Sequence, residues 1–133
     1  MTKKEAVQIL AILKAAYPAS YNGMTKEEAN GTVSVWCLQF SNMPVDIVMM
    51  AIQKLISTNK FPPTVAEVKQ KIQAIHWEAY EMISSSSFEG LLSDKAKEKY
   101  QRIYDATKDY RVQLGEPYIA QMMSGNQLLL GGE

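Results

Sequence analysis

The chain has 133 residues, enough for one ordinary domain or a small domain with an extension, and 47% of them are hydrophobic, too many for a wholly disordered protein. Its 14 basic and 14 acidic side chains cancel, which argues against a nucleic-acid binder that works through bulk charge. Cys37 is the only cysteine, so an intrachain disulfide and an all-cysteine zinc site are both excluded, and a reducing cytosol fits.

Thr2-Lys3-Lys4-Glu5 has the spacing of a capping box and predicts a first helix from Lys3 to about Ala16. Ala6, Ile9, Leu10, Leu13 and Ala16 share one face, which Val7 and Ile12 broaden. Gln8 and Lys14 interrupt this apolar run and no A-x-A cleavage site follows, so neither a signal peptide nor a membrane span is expected. Pro18 ends the helix, and Tyr17 to Gly23 reads as a turn whose two tyrosines fold back over the core. Thr25-Lys26-Glu27-Glu28 opens a second helix to about Phe40, with Ala29, Val33, Trp36, Cys37 and Phe40 as its buried stripe. Gly31 weakens that helix by ~1 kcal/mol relative to alanine, and a close approach by a neighbouring helix would account for it. Asn42 and Pro44 mark the start of a third helix, Val45 to about Ser57, with Val48, Ala51, Ile52 and Leu55 inward.

Lys60-Phe61-Pro62-Pro63-Thr64-Val65-Ala66-Glu67 is the elbow of the chain. Two consecutive prolines stop any helix and push Phe61 out of the α region, and Thr64 with Glu67 boxes the start of the next helix. Phe61 is expected to act as an aromatic anchor in this corner. The fourth helix carries Val65, Val68, Ile72, Ile75, Ala79 and Met82 alternately three and four apart, a seam suited to packing along another helix. Trp77 and Tyr80 lie off that seam. Ser84 to Ser87, followed by Phe88-Glu89-Gly90, is the one break in composition and is read as a linker or helix end. Ser93-Asp94 caps a fifth helix whose seam runs Ala96, Tyr100, Ile103, Thr107, Tyr110 and Leu114 before Gly115, with Glu98–Arg102 and Asp105–Lys108 as supporting pairs. A seam that narrow is marginal alone and has to pack on something. Pro117 begins a short turn through Met123, and Leu128, Leu129 and Leu130 form an apolar triplet in a polar tail, which suits a docking segment and equally an ordinary tail tucked against the fold.

The fold class expected is therefore all-α: a small bundle of about four helices with a C-terminal helical extension and flexible tail. Its divisions are an N-terminal module over 1–83, a Ser-rich linker over 84–92, and a C-terminal helix and tail over 93–133. No phosphate-binding glycine motif is present, so no nucleotide cofactor is expected. His76 is the only histidine, which leaves no recognised metal-ligand pattern, and a structural or surface role is its ordinary explanation. Cys37 beside Trp36 reads as a buried inert thiol, and Glu27-Glu28 as the acidic start of a helix. Eight methionines, Met49-Met50 and Met122-Met123 among them, suit core filling before any adaptable surface. The balance is against an enzyme.

Three stretches resemble one known family. They are Thr2-Lys3-Lys4-Glu5 leading into Ile9 to Pro18, then Met24 to Ala29 with Val35-Trp36, and above all Ala51 to Val68, which contains the Lys-Phe-Pro-Pro-Thr-x-Ala-Glu string. Over Met1 to about Ile75 the chain is similar to the bacteriophage helicase loader/inhibitor family. The resemblance implies a helical N-terminal module, a C-terminal region that contacts the helicase, and no ATPase of its own. It further implies an adaptor in phage DNA replication, in the cytoplasm of a bacterial host. Such an adaptor binds and inhibits a DnaB-type hexameric helicase and hands it to an origin-binding replication protein. No motif carries individual helicase contacts across. The apolar pattern of the C-terminal third alone selects Tyr110, Tyr118, Met122, Met123, Leu128, Leu129 and Leu130 as partner-binding residues. The rival is a small helical DNA-binding regulator, but Thr64, Val65, Ala66 and Glu67 give the helix after the elbow an acidic, apolar start where a recognition helix carries Arg, Asn or Gln. Direct nucleic-acid binding is not expected. A second rival is an enzyme subunit or structural scaffold with no replication role.

Overall fold

The computed structural model describes residues 1–84 and 93–113, with side chains up to residue 108. Every element among these is a helix: α1 (Lys3–Ala16), α2 (Pro18–Tyr21), α3 (Lys26–Gln39), α4 (Val45–Ile56), α5 (Val65–Ser84) and α6 (Asp94–Gln113). The chain divides into two units, Met1–Ile75 and His76 onward, with the division falling inside α5.

In the first unit, α1 packs chiefly on α3 and also touches α2 and α4. Its start is the capping box that the sequence encodes: Thr2 Oγ1 accepts from the Glu5 N–H at 3.2 Å, and Glu5 Oε1 accepts from the Thr2 N–H at 2.8 Å. At α3 only half of the expected box forms: Thr25 Oγ1 accepts from the Glu28 N–H at 3.1 Å. The core is aliphatic, built from Ala6, Ile9, Leu10 and Leu13 of α1, Val48, Ala51, Ile52 and Leu55 of α4, and Val68, Ile72 and Ile75 of α5. Trp36 and Phe40 close one side, with ring centroids 5.5 Å apart. Met43 and Ile47 are also fully buried, Met43 as core filler at the α3–α4 corner.

Several expectations need adjusting. Residues 18–21 form a short helix, because Pro18 at its first position has the right φ and loses no hydrogen bond there. Gly23 follows with φ +78°, the left-handed conformation that only glycine adopts without strain. Val7 and Ala16 are exposed. Among the described residues Gly31 accommodates no neighbouring helix, since a Cβ added there meets nothing within 4 Å.

In the second unit, Ala79 of α5 is buried together with His76, and Ile103 and Thr107 of α6 are its other buried residues among those described. Ser93 caps α6, its Oγ accepting from the Ala96 N–H at 3.1 Å. Asp105 and Lys108 pair at 3.9 Å on the surface, a contact of small energetic weight. Ser84 ends α5, and the rest of the expected linker lies outside the described residues.

Candidate protein-interaction surfaces

The elbow between α4 and α5 is wired from both sides. α4 runs out as the Thr58 and Asn59 N–H groups turn back to the Leu55 carbonyl at 3.1 and 2.7 Å. The Asn59 carbonyl accepts from the Tyr17 hydroxyl at 2.9 Å, which ties the elbow to the end of α1. The Asn59 side-chain amide donates to Glu67 Oε2 at 3.0 Å, while Glu67 Oε1 accepts from the Thr64 N–H at 3.0 Å. Thr64 Oγ1 in turn accepts from the Glu67 N–H at 3.1 Å, completing the box. The Thr64 N–H, and after it the Asn59 amide, hold the Glu67 carboxyl below its ordinary carboxylate value. Pro63 is buried, and the two prolines remove backbone freedom from the span these bonds leave.

What this frame displays is Phe61. The expected aromatic anchor points the other way: the residue is 70% exposed, with Lys60 Nζ 5.7 Å from its ring centroid. The corner is held by Pro63, Asn59 and Glu67, so the aromatic ring contributes little to it. A phenylalanine held outward on a pre-ordered loop, with a cation beside its face, gives a partner apolar area at small entropic cost. Elsewhere in this unit Val7, Val35 and Leu38 are the other large apolar side chains left outside.

The second unit carries a different surface. His76 is 2% exposed and its Nδ1 lies 2.7 Å from Thr107 Oγ1. The Thr107 hydroxyl donates back to the Ile103 carbonyl at 2.7 Å, so the imidazole Nδ1–H supplies the proton of the His76–Thr107 bond. Tyr104 stacks on the His76 ring at 5.1 Å, Trp77 meets its edge at 5.1 Å, and Tyr80 stands edge-on to Trp77 at 5.7 Å. Tyr80 and Ile83 are 44% and 42% exposed, so this aromatic group reaches solvent along α5.

Of the residues that the C-terminal pattern selected, Tyr110 lies in α6 with its side chain outside the described ones. Tyr118, Met122, Met123, Leu128, Leu129 and Leu130 lie outside the described residues. Among the described residues no group of His, Cys, Asp or Glu is arranged to hold a metal ion, and no helix is long and apolar enough to cross a membrane. Cys37 is half-buried, its Sγ 3.5 Å from the Met1 carbonyl.

The family model for the N-terminal domain of the phage helicase loader/inhibitor matches residues 1–69, a span that takes in α1 to α4, the whole elbow and the first turn of α5. No curated protein and no solved structure matches the chain.

Proposed function

The chain belongs to the family defined by the N-terminal domain of phage helicase loaders and inhibitors, and from that premise we propose that it is a non-enzymatic adaptor of phage DNA replication. It binds a DnaB-type hexameric helicase, holds it inactive, and surrenders it to an origin-bound replication protein. The observation that carries this reading is the family match over 1–69, more than half of the 133 residues. The family is generally non-catalytic, and an adaptor needs only surfaces.

The two units divide the work. Residues from Ser93 onward contact the helicase, with Tyr110, Tyr118, Met122, Met123, Leu128, Leu129 and Leu130 as the apolar contacts. The first unit meets the origin-bound protein through the elbow, where Phe61 inserts into an apolar pocket of that protein. Inhibition follows from mass action: a protein that prefers one conformation of the hexamer biases it toward that state, and its loss at the origin lifts the bias. The DNA-binding alternative gains nothing from the geometry, because the start of α5 carries the Glu67 carboxylate, bonded to Thr64 and Asn59, where a recognition helix presents base-contacting side chains.

The test is co-elution of the full chain with its cognate helicase in the presence of ATP, with the ATPase rate of the helicase read alongside. Complex formation and a lowered rate are expected, and both are expected to vanish when the chain stops before Ser93. Phe61→Ala is expected to leave helicase binding and melting temperature unchanged while weakening capture of the origin-bound protein. Absence of a complex, or a complex indifferent to that truncation, sinks the reading.

A further inference from the structure

α3 has a second apolar stripe that does not join the core of the described residues. At 3.6 residues per turn, Gly31, Val35 and Leu38 fall within about 60° of one another, on the side opposite Val33 and Phe40. Val35 is 51% and Leu38 74% exposed. Their spacing of four and three is that of a helix meant to meet another helix. Gly31 sharpens the point, since glycine in mid-helix is destabilising relative to alanine and nothing within 4 Å of its missing Cβ requires it. Its absent side chain instead deepens a shallow hollow on the surface, lined by Met24, Glu28, Thr32, Val35 and Trp36. The two ends of the stripe differ in charge. Glu27 and Glu28 stand exposed one turn before Gly31, and at the other end Lys69 Nζ donates to Gln39 Oε1.

We propose that the outer face of α3 docks an amphipathic helix of a partner protein. A large apolar side chain of that helix seats over Gly31, and its Lys or Arg residues lie against Glu27 and Glu28. The glycine fits this occupant because it lets a partner backbone approach α3 closely, and the acidic end selects a basic helix and fixes its direction. This surface is distinct from the elbow, and the inference rests on α3 alone rather than on the helicase reading.

Two synthetic helical peptides test it against the isotope-labelled full chain. Both carry leucines at three-four spacing, one flanked by lysines and the other by glutamates. The lysine peptide is expected to shift the amides of residues 27–39, and the glutamate peptide to leave them still. Gly31→Ala is expected to raise the melting temperature yet weaken the lysine peptide about tenfold, a combination that a merely structural glycine would not give. The pair Glu27→Gln and Glu28→Gln is expected to abolish the preference between peptides at unchanged stability. The proposal is overturned if neither peptide binds, if both bind alike, if the shifts fall outside α3, or if Gly31→Ala binds as the parent does. Self-association of the chain that Leu38→Lys abolishes would also overturn it, by assigning the face to a second copy. None of these measurements involves a helicase, so their failure is separable from failure of the adaptor reading.

Discussion

The two units are stabilised by different physics. The first is an aliphatic core whose helix starts at Thr2, Thr25 and Thr64 are capped by threonine, and whose one irregular stretch, the elbow, is bonded on both sides. Among its described residues the second unit buries only Ala79, Ile103, His76 and Thr107, two of them polar and joined to each other. Hydrophobic burial is non-directional and tolerates small adjustments, whereas a buried hydrogen-bonded pair stabilises only while both partners are present. The first unit is thus suited to be a scaffold that holds Phe61 and α3 in fixed positions. Among its described residues the second has the smaller buried set, with a polar pair at its centre, and is the part easier to remodel when a partner binds.

The largest effect expected is in the aliphatic core. Ile52 has no exposed surface, and Ile52→Ala removes three carbons from a site packed on all sides. A loss of about 2–5 kcal/mol is expected from transfer and cavity terms together, a large share of the ~5–15 kcal/mol that holds an ordinary domain. Denaturant unfolding followed by far-UV circular dichroism measures it. A loss under ~1 kcal/mol would mean that the first unit is loosely packed, and the contrast with the second would fall.

Next in size is Thr107→Val, which keeps the shape of the side chain and deletes the oxygen that receives His76 Nδ1–H. Leaving that buried donor without its acceptor is expected to cost about 1–3 kcal/mol. Amide exchange locates the cost: protection of Ile103 to Lys108 should fall while that of Leu10, Leu13 and Ala51 stays. An equal fall in both places would show that the units unfold as one and would blur the distinction drawn between them.

Much of this was legible in the residues. A Thr followed three residues later by Glu gave the starts of α1, α3 and α5, because the cap is a local bond between neighbours in sequence, reciprocal at α1 and α5 and one-sided at α3. Apolar spacing gave the buried faces of α1, α4 and α5, since a stripe at helical period has one economical place to go. Val35 and Leu38 were harder to read. α3 has apolar residues on both sides, and the period alone does not say which side the fold covers. The signal that was available is Gly31, which weakens a helix at a position facing away from Val33 and Phe40. Phe61 misled for a related reason: aromatic residues are usually inside, and only the packing of Pro63 and the bonds of Asn59 show that the corner closes without it. The His76–Thr107 pair joins residues on two helices, and their 2.7 Å contact is a product of folding that no local pattern announces.

The smallest effect expected is at the elbow, and its sign can be worked out. The folded carboxyl of Glu67 is held below its ordinary value, chiefly by the Thr64 N–H, so the ionised form is the one the fold prefers. Such a group contributes stability above its unfolded pKa, about 4.3 for glutamate, and that contribution is lost as pH falls through the lower folded value. Glu67→Gln keeps an oxygen for Thr64 but removes the charge. The parent is therefore expected to melt slightly above the variant at pH 6, and the gap is expected to close as pH is lowered past 4. Scanning calorimetry of the two chains across that range reads the difference. Because Glu67 lies at the surface the gap should be small, and it should shrink further in salt. A gap that widened on acidification would mean that the protonated carboxyl holds the elbow, and the presentation of Phe61 would then need another explanation than the Thr64–Glu67–Asn59 bonds.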